Sequence, residues 1–150
     1  MGKKSLLLIM MIAGMATLFA AAGILAGTTA PDVMEMNSPE YAKHKKGIAK
    51  FTHKKHVEEY KAECGECHHD DKGKPLALKA GDSVQRCIEC HKKPSERPKG
   101  KGAPKLSKKQ KLDYHAEALH YNCKGCHKKF NRKTKTKAAP TTCAKCHPKK

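Results

Sequence analysis

One five-residue pattern, Cys-x-x-Cys-His, here called the pentad, occurs four times in this chain. The copies are Cys64-Gly-Glu-Cys67-His68, Cys87-Ile-Glu-Cys90-His91, Cys123-Lys-Gly-Cys126-His127 and Cys143-Ala-Lys-Cys146-His147. Together they use every cysteine of the 150 residues. In this spacing two thiols can each add to a vinyl group of one haem while the following histidine reaches the iron, so the pattern predicts covalent attachment of c-type haem. We therefore expect four haem c groups.

Zinc binding and disulfide formation are the two other common uses of paired cysteines. Two Cys-x-x-Cys pairs can close a tetrahedral zinc site, and disulfides are frequent in exported proteins. Neither use needs a histidine directly after the second cysteine, yet all four copies have one. The sequence therefore favours haem attachment over zinc and over disulfides.

The side chains after the first 30 residues are too polar to build an ordinary hydrophobic core. From Pro31 onward the Val, Ile and Leu residues are only Val33, Ile48, Val57, Leu76, Leu78, Val84, Ile88, Leu106, Leu112 and Leu119. Small domains already bury little surface, and a large bound group is one way to stabilise them. We expect a small, loop-rich fold with a few short α-helices and at most a minor β-hairpin, packed around four haems.

The N-terminal residues have the pattern of a targeting segment. Lys3 and Lys4 precede an uncharged stretch from Ser5 to Gly27, which is typical of a secretory signal peptide. The stretch is also long enough to span a bilayer, so a retained anchor is the alternative. We predict a signal peptide over residues 1–30, a tetrahaem domain over residues 31–150 and a location in the periplasm.

The formal net charge is +18, and the chain without Lys3 and Lys4 carries +16. Such a charge attracts acidic partners. No nucleic-acid-binding module is visible, and an exported protein seldom meets nucleic acid. We therefore expect acidic redox proteins as partners, no nucleic acid, and a membrane only if the N-terminal segment is retained.

The basic residues are concentrated at the C-terminal end. After Glu117 no acidic residue occurs, whereas the basic residues are Lys124, Lys128, Lys129, Arg132, Lys133, Lys135, Lys137, Lys145, Lys149 and Lys150. A solvated surface is one interpretation. The concentration around two pentads favours a docking face for an acidic partner. We expect Lys145, Lys149 and Lys150 to contribute to docking, and Lys43, Lys45 and Lys46 to matter much less.

Six histidines remain for the second axial position of the irons: His44, His53, His56, His69, His115 and His120. Methionine ligation would raise the haem potential, but only Met34 and Met36 follow the N-terminal apolar stretch. We therefore expect mostly bis-histidine iron of low potential. His44 lies among lysines, and we predict that it is an exposed surface residue.

Local patterns place several of these histidines. His53 and His56 are spaced to share one side of a short helix that Thr52 could cap. The adjacent His68 and His69 diverge, so that they could serve neighbouring haems. Further on, Ser107-Lys-Lys-Gln110 fits a capping box. Apolar residues at Leu112, Ala116, Leu119 and Cys123 then predict a helix that covers a haem, with His120 near its apolar side.

Two further segments are predicted from composition and pairing. Residues 92–104 are rich in Pro, Gly and Lys without periodicity, which indicates a surface loop. The stretch from Gly47 to Phe51 is expected to pair with Val33 to Met36 as a small hairpin.

From about Asp32 onward the chain resembles the tetrahaem cytochrome c3 family, the class III c-type cytochromes. The resemblance is carried by Phe51-x-His53-x-x-His56, Cys67-His68-His69, the stretch from Tyr114-His115 to His120, and the four pentads in order. It implies that the fifth ligands are His68, His91, His127 and His147. It also implies that the sixth ligands of the first to fourth haems are, in order, His53, His69, His56 and His120. Residues 38–46 look like an insertion relative to the family.

The resemblance implies a periplasmic electron carrier, not an enzyme, whose partners are hydrogenases and membrane-bound or larger multihaem cytochromes. One alternative is a small multihaem reductase that passes electrons to a metal ion or another acceptor. Such an enzyme usually needs an open coordination position, whereas this chain has enough histidines to fill every one. The other alternative is a membrane-anchored electron relay.

Overall fold

The computed structural model describes residues 30–149. The predicted signal peptide or anchor and Lys150 therefore lie outside the described residues, apart from Ala30. Within residues 30–149, no helix is long and apolar enough to cross a membrane.

Short elements separated by loops make up the described chain. Two strands, β1 and β2, span Met34–Glu35 and Lys50–Phe51. The α-helices α1 to α6 span, in order, His53–Glu58, Cys87–Cys90, Lys108–Leu112, His115–Leu119, Gly125–Thr134 and Cys143–Cys146. A 3-10 turn covers Cys64–Glu66, and a π turn covers His120–Lys124. This confirms the predicted loop-rich architecture.

The predicted hairpin is present. Strands β1 and β2 are antiparallel, with Met34 opposite Phe51, and the amide of Met36 extends the ladder by donating to the carbonyl of Ala49 over 2.9 Å. Helix α1 begins two residues after β2, so the hairpin fixes the position of the helix that carries His53 and His56. Thr52 precedes α1 as expected, but its side chain makes no capping hydrogen bond.

The helical region after residue 107 begins as predicted and then differs. Ser107 and Gln110 form a complete capping box at the start of α3. The single helix expected over the following residues is wrong, because Tyr114 is extended between α3 and α4. A parallel bridge joins Tyr114 to Lys93, and the amide of His115 donates to the carbonyl of Lys93 over 2.9 Å. A contact from the preceding loop therefore divides the helix.

The polypeptide alone buries very few apolar side chains. In the part of the chain that the structure describes, the buried apolar residues are Ile88, 7% exposed, and Ala118, 8% exposed. They lie on α2 and α4, which pack against each other. Large apolar side chains such as Val84, Tyr121 and Phe130 are exposed. The expectation that side chains do not form a conventional core is confirmed.

Candidate functional site

Each pentad coincides with a helical turn. In the first, second and fourth pentads, the histidine amide donates to the carbonyl of the first cysteine. These bonds are His68 to Cys64 at 2.8 Å, His91 to Cys87 at 2.9 Å and His147 to Cys143 at 2.7 Å. The third pentad lies at the junction of the π turn and α5. Because a helical turn holds residues three and four apart on one side, each turn presents both thiols and the histidine to one ligand.

All eight cysteines lie within the described residues, and none is in a disulfide there. Across residues 30–149, no three His, Cys, Asp or Glu side chains come together as ligands of one metal ion. In the unmodified chain, the pKa of the Cys123 thiol is raised to about 11, mainly by desolvation and in smaller part by Cys67, Cys87 and Cys146. A thiol of each of the other three pentads therefore lies near Cys123.

Histidine rings from different segments of the chain lie close together in three pairs, one nearly parallel and two edge-on. The ring centres of His56 and His127 are 6.1 Å apart. Those of His69 and His91 are 5.9 Å apart, and those of His120 and His147 are 6.2 Å apart. In each pair one histidine belongs to a pentad and the other does not.

These separations are close to the one that a single iron between two imidazoles requires. A metal–nitrogen bond of about 2 Å and a further distance of about 1.2 Å to the ring centre place two axial rings about 6.4 Å apart. The residues present therefore fit a six-coordinate haem iron at these three positions. The three pairs are also those that the resemblance implies for the third, second and fourth haems.

For the first haem, the observation is an electrostatic interaction beside α1 and not a ring pair like the other three. His68 is close enough to His53 for their charges to interact, and its pKa is lowered, first by burial and then by His53 and His69. The ring of Phe51 lies 6.0 Å from that of His53 and 4.6 Å from that of His56. One aromatic side chain thus packs against the two histidines of α1.

Backbone carbonyls orient five of these eight histidines. A carbonyl oxygen can only accept, so in each case the Nδ1 of the ring carries the proton and donates it. Nε2 then keeps the lone pair that binds a metal. The five bonds are His56 to Thr52 at 2.8 Å, His69 to Asp70 at 2.8 Å, His91 to Leu112 at 2.6 Å, His127 to Pro140 at 2.7 Å and His147 to Gly47 at 2.8 Å.

Sequence reasoning missed the residues that supply these carbonyls. Leu112, Pro140 and Gly47 act through the backbone, so their side chains carry no signal of the role. Asn131 offered a weak signal as a polar residue on α5. Its side-chain nitrogen donates to the backbone carbonyl of Ala139 at 2.9 Å, and its side-chain oxygen accepts from the backbone N–H of Ala139 at 3.0 Å. It thereby holds the segment whose Pro140 orients His127.

The two remaining histidines meet at Tyr41. His115 is 6% exposed, and its Nδ1 lies 3.0 Å from the Tyr41 hydroxyl. The ring of His44 stacks on Tyr41 at 5.1 Å and is half-buried. The prediction that His44 is an exposed surface residue is therefore wrong. Stacking on an aromatic ring removes its ring from solvent although its sequence neighbours are lysines.

The π turn separates two functional residues that are close in sequence. His120 faces His147, whereas Cys123, three residues later, opens the third pentad. In an α-helix, residues three apart nearly share a face. The wider π turn places them further apart around the axis, as such turns often do at functional sites. The short distance between His120 and Cys123 is thus compatible with service to two different haems.

A cationic cleft lies next to the fourth pentad. It has a volume of about 620 Å³, and its lining includes Lys43, Lys46, Lys50 and Lys149. An adjoining cleft of about 500 Å³ shares Lys46 and Lys149 and includes Lys45, Cys143 and His147. The two lysine groups, which are far apart in sequence, are therefore neighbours in the fold, and their relative contributions to docking stay a prediction. Lys145 is exposed, and Lys150 lies beyond the described residues.

Comparison with known proteins identifies the family of the chain. No curated protein sequence matches the chain. The family model of the class III cytochrome C family matches residues 30–147, which include all four pentads and all ten histidines. The chain therefore belongs to the class III cytochrome c family, the haem c-binding proteins that transfer electrons through several haems.

Proposed function

We propose that residues 31–150 carry four haem c groups, one on each pentad, and that residues 1–30 are a signal peptide. The observation that carries the proposal is the pairing of histidine rings at 5.9 to 6.2 Å. Two imidazoles at this separation are suited to one iron between them. The electrostatic interaction between His53 and His68 supports a similar pair at the first haem.

The axial ligand pairs are proposed as His68 with His53, His91 with His69, His127 with His56, and His147 with His120. The cysteines Cys64, Cys67, Cys87, Cys90, Cys123, Cys126, Cys143 and Cys146 form the covalent attachments. When bound, each haem supplies an iron that accepts and releases one electron. Hydrogen bonds from Nδ1 to backbone carbonyls orient the imidazoles and leave Nε2 free for the metal.

The protein acts as a low-potential electron carrier in the periplasm. Two histidines at every iron favour a low potential relative to methionine ligation. They also leave no open coordination position, which favours a carrier over the reductase alternative. The membrane-anchored relay remains the alternative if residues 1–30 are retained.

Partners are acidic redox proteins, and the resemblance implies hydrogenases or other cytochromes. The cationic cleft beside the fourth pentad supports this proposal, because Lys43, Lys46 and Lys149 line it. The adjoining cleft shares Lys46 and Lys149 and includes His147. Docking there would bring a partner close to one haem. Lys145 and Lys150 extend the same charge along the C-terminal end of the sequence.

One set of measurements on the mature protein tests the proposal. The denatured, acid-extracted protein should keep the mass of four haems, and its absorption spectrum should be that of six-coordinate haem c. N-terminal sequencing should locate the start near residue 31. Fewer than four retained haems would contradict the four-site assignment. Strong binding of carbon monoxide to the reduced protein would favour the reductase, since a closed iron binds it poorly.

A further inference from the structure

Residues 38–47, here called the 38–47 segment, connect two distant sites. Near its start, Glu40 accepts a hydrogen bond from Arg86 at 2.8 Å, one residue before the second pentad. The Tyr41 hydroxyl lies 3.0 Å from Nδ1 of His115. At its end, the carbonyl of Gly47 accepts from Nδ1 of His147 at 2.8 Å. The segment is therefore held at both ends and finishes on the histidine of the fourth pentad.

Gly47 allows this contact because it has no side chain. A Cβ built on its backbone would lie 2.2 Å from the carbonyl oxygen of Pro148 and 3.0 Å from the Pro148 carbonyl carbon and Cγ. Real Cβ atoms do not approach backbone oxygen this closely, so any other residue would push the two segments apart. Glycine is needed here for close approach between two backbones.

The fourth site differs from the second and third in the origin of its acceptor. His127 donates to Pro140, 13 residues away, and His91 donates to Leu112, 21 residues away. His147 donates to Gly47, 100 residues away. The orientation of His147 thus depends on a segment at the other end of the described chain.

We propose that Gly47 is a positioning residue that lowers the potential of the fourth haem through His147. The inference rests on the proposed function, in which His147 binds that iron. A carbonyl that accepts the Nδ1 proton fixes the ring and makes it a stronger electron donor to the metal. Stronger donation stabilises the oxidised iron. Loss of the Gly47 contact should therefore raise the potential of the fourth haem and leave the others in place.

The test is Gly47→Ala in the mature, haem-loaded protein. The added methyl group should separate Gly47 from Pro148 and break the bond to His147. At a fixed potential, the ratio of reduced to oxidised fourth haem should rise by up to about tenfold, which corresponds to about 59 mV for a one-electron couple. A redox titration followed by NMR of the individual haem methyl groups measures this shift.

Ala42→Ser is the control in the same segment. The Ala42 side chain is exposed and lies outside the pentads, and the substitution leaves Gly47 unchanged. This control should leave all four potentials unchanged.

A second measurement needs no variant. The Nδ1 proton of His147 should exchange slowly with solvent in the native protein, since it is held in a hydrogen bond. Fast exchange of this proton would overturn the inference, as would unchanged potentials or an equal shift of all four haems in Gly47→Ala. A native protein that lacks the fourth haem, or whose His147 does not bind iron, would instead contradict the proposed function.

Discussion

The third and fourth sites hold the same kind of histidine pair, but the carbonyl that orients the pentad histidine comes from very different distances along the chain. His127 is oriented by Pro140, and Asn131 of the intervening helix fixes the segment that carries this carbonyl. His147 is oriented by Gly47. The orientation of His127 is thus local, although its ring partner His56 comes from α1, whereas the orientation of His147 depends on both ends of the described chain.

This contrast has an energetic consequence. Contacts between residues close in sequence need little chain ordering, whereas closing a long loop costs more conformational entropy. A bound group that joins distant segments can offset that cost, because it stabilises only the folded form. We expect the support of His127 to persist when the N-terminal part of the domain loosens, and the support of His147 to be lost.

The largest effect should come from removing the ring that faces His147. His120→Ala should open the fourth iron, raise its potential and create one carbon monoxide site per molecule, because the chain then supplies a single imidazole there. Carbon monoxide titration of the reduced protein, followed by absorption, measures the number of open irons.

The control for this variant is His115→Gln, since His115 lies on the adjoining helix α4 and contacts Tyr41. It should leave all four irons six-coordinate. An open iron in His115→Gln combined with closed irons in His120→Ala would reverse the assignment. It would also mean that the fourth site has a different sixth ligand from the one inferred here.

The sequence predicted those features that a few neighbouring residues determine. The pentads, the hairpin and the Ser107 capping box each depend on short spacing, and the structure contains all three elements. The sequence did not predict the extended Tyr114, because a contact from Lys93 competes with helix formation there. Helix propensity is weak enough for a tertiary contact of this kind to override it.

The support of the candidate site was also beyond sequence reasoning, for a different physical reason. Every residue has a carbonyl, so the acceptors at Gly47, Leu112 and Pro140 are distinguished only by their position in the fold. The proximity of Lys43 and Lys46 to Lys149 likewise arises from a contact between the two ends of the described chain. Long-range packing determined these features, and no local pattern indicates it.

A smaller effect is expected from loosening the local support of the third site. Asn131→Ala removes two hydrogen bonds to Ala139 and leaves both backbone groups without that partner. At a typical value of about 0.5–1.5 kcal/mol per bond, the free energy of unfolding should fall by about 1–3 kcal/mol. Denaturant titration measures this loss, and NMR should show the change at the third haem.

Asn122→Ala serves as the comparison, since its amide makes one longer bond of 3.3 Å to the carbonyl of Cys67. The free energy of unfolding should fall less in this variant than in Asn131→Ala. If both variants lose the same free energy, or if Asn131→Ala disturbs the fourth haem as much as the third, the two sites do not differ in local support.

The smallest effect at physiological salt should come from the lysines of the fourth site. One cleft is lined by Lys43, Lys46 and Lys149, although these lysines come from the two ends of the domain sequence. Changing all three to glutamate should slow electron exchange with an acidic redox protein by roughly tenfold at low salt, because long-range attraction speeds the encounter. Screening over about 8 Å at 0.15 M ionic strength should reduce this difference.

Stopped-flow kinetics across a salt series measures this effect. A control variant, in which Lys101, Lys105 and Lys109 are changed to glutamate, separates the effect of position from that of net charge. These control lysines are exposed, do not line the cleft, and alter the net charge equally. Equal slowing in both triple variants would attribute the effect to net charge alone. No slowing in either would indicate that the cleft is a solvated surface, and the fourth site would then differ from the third only in how its histidines are held.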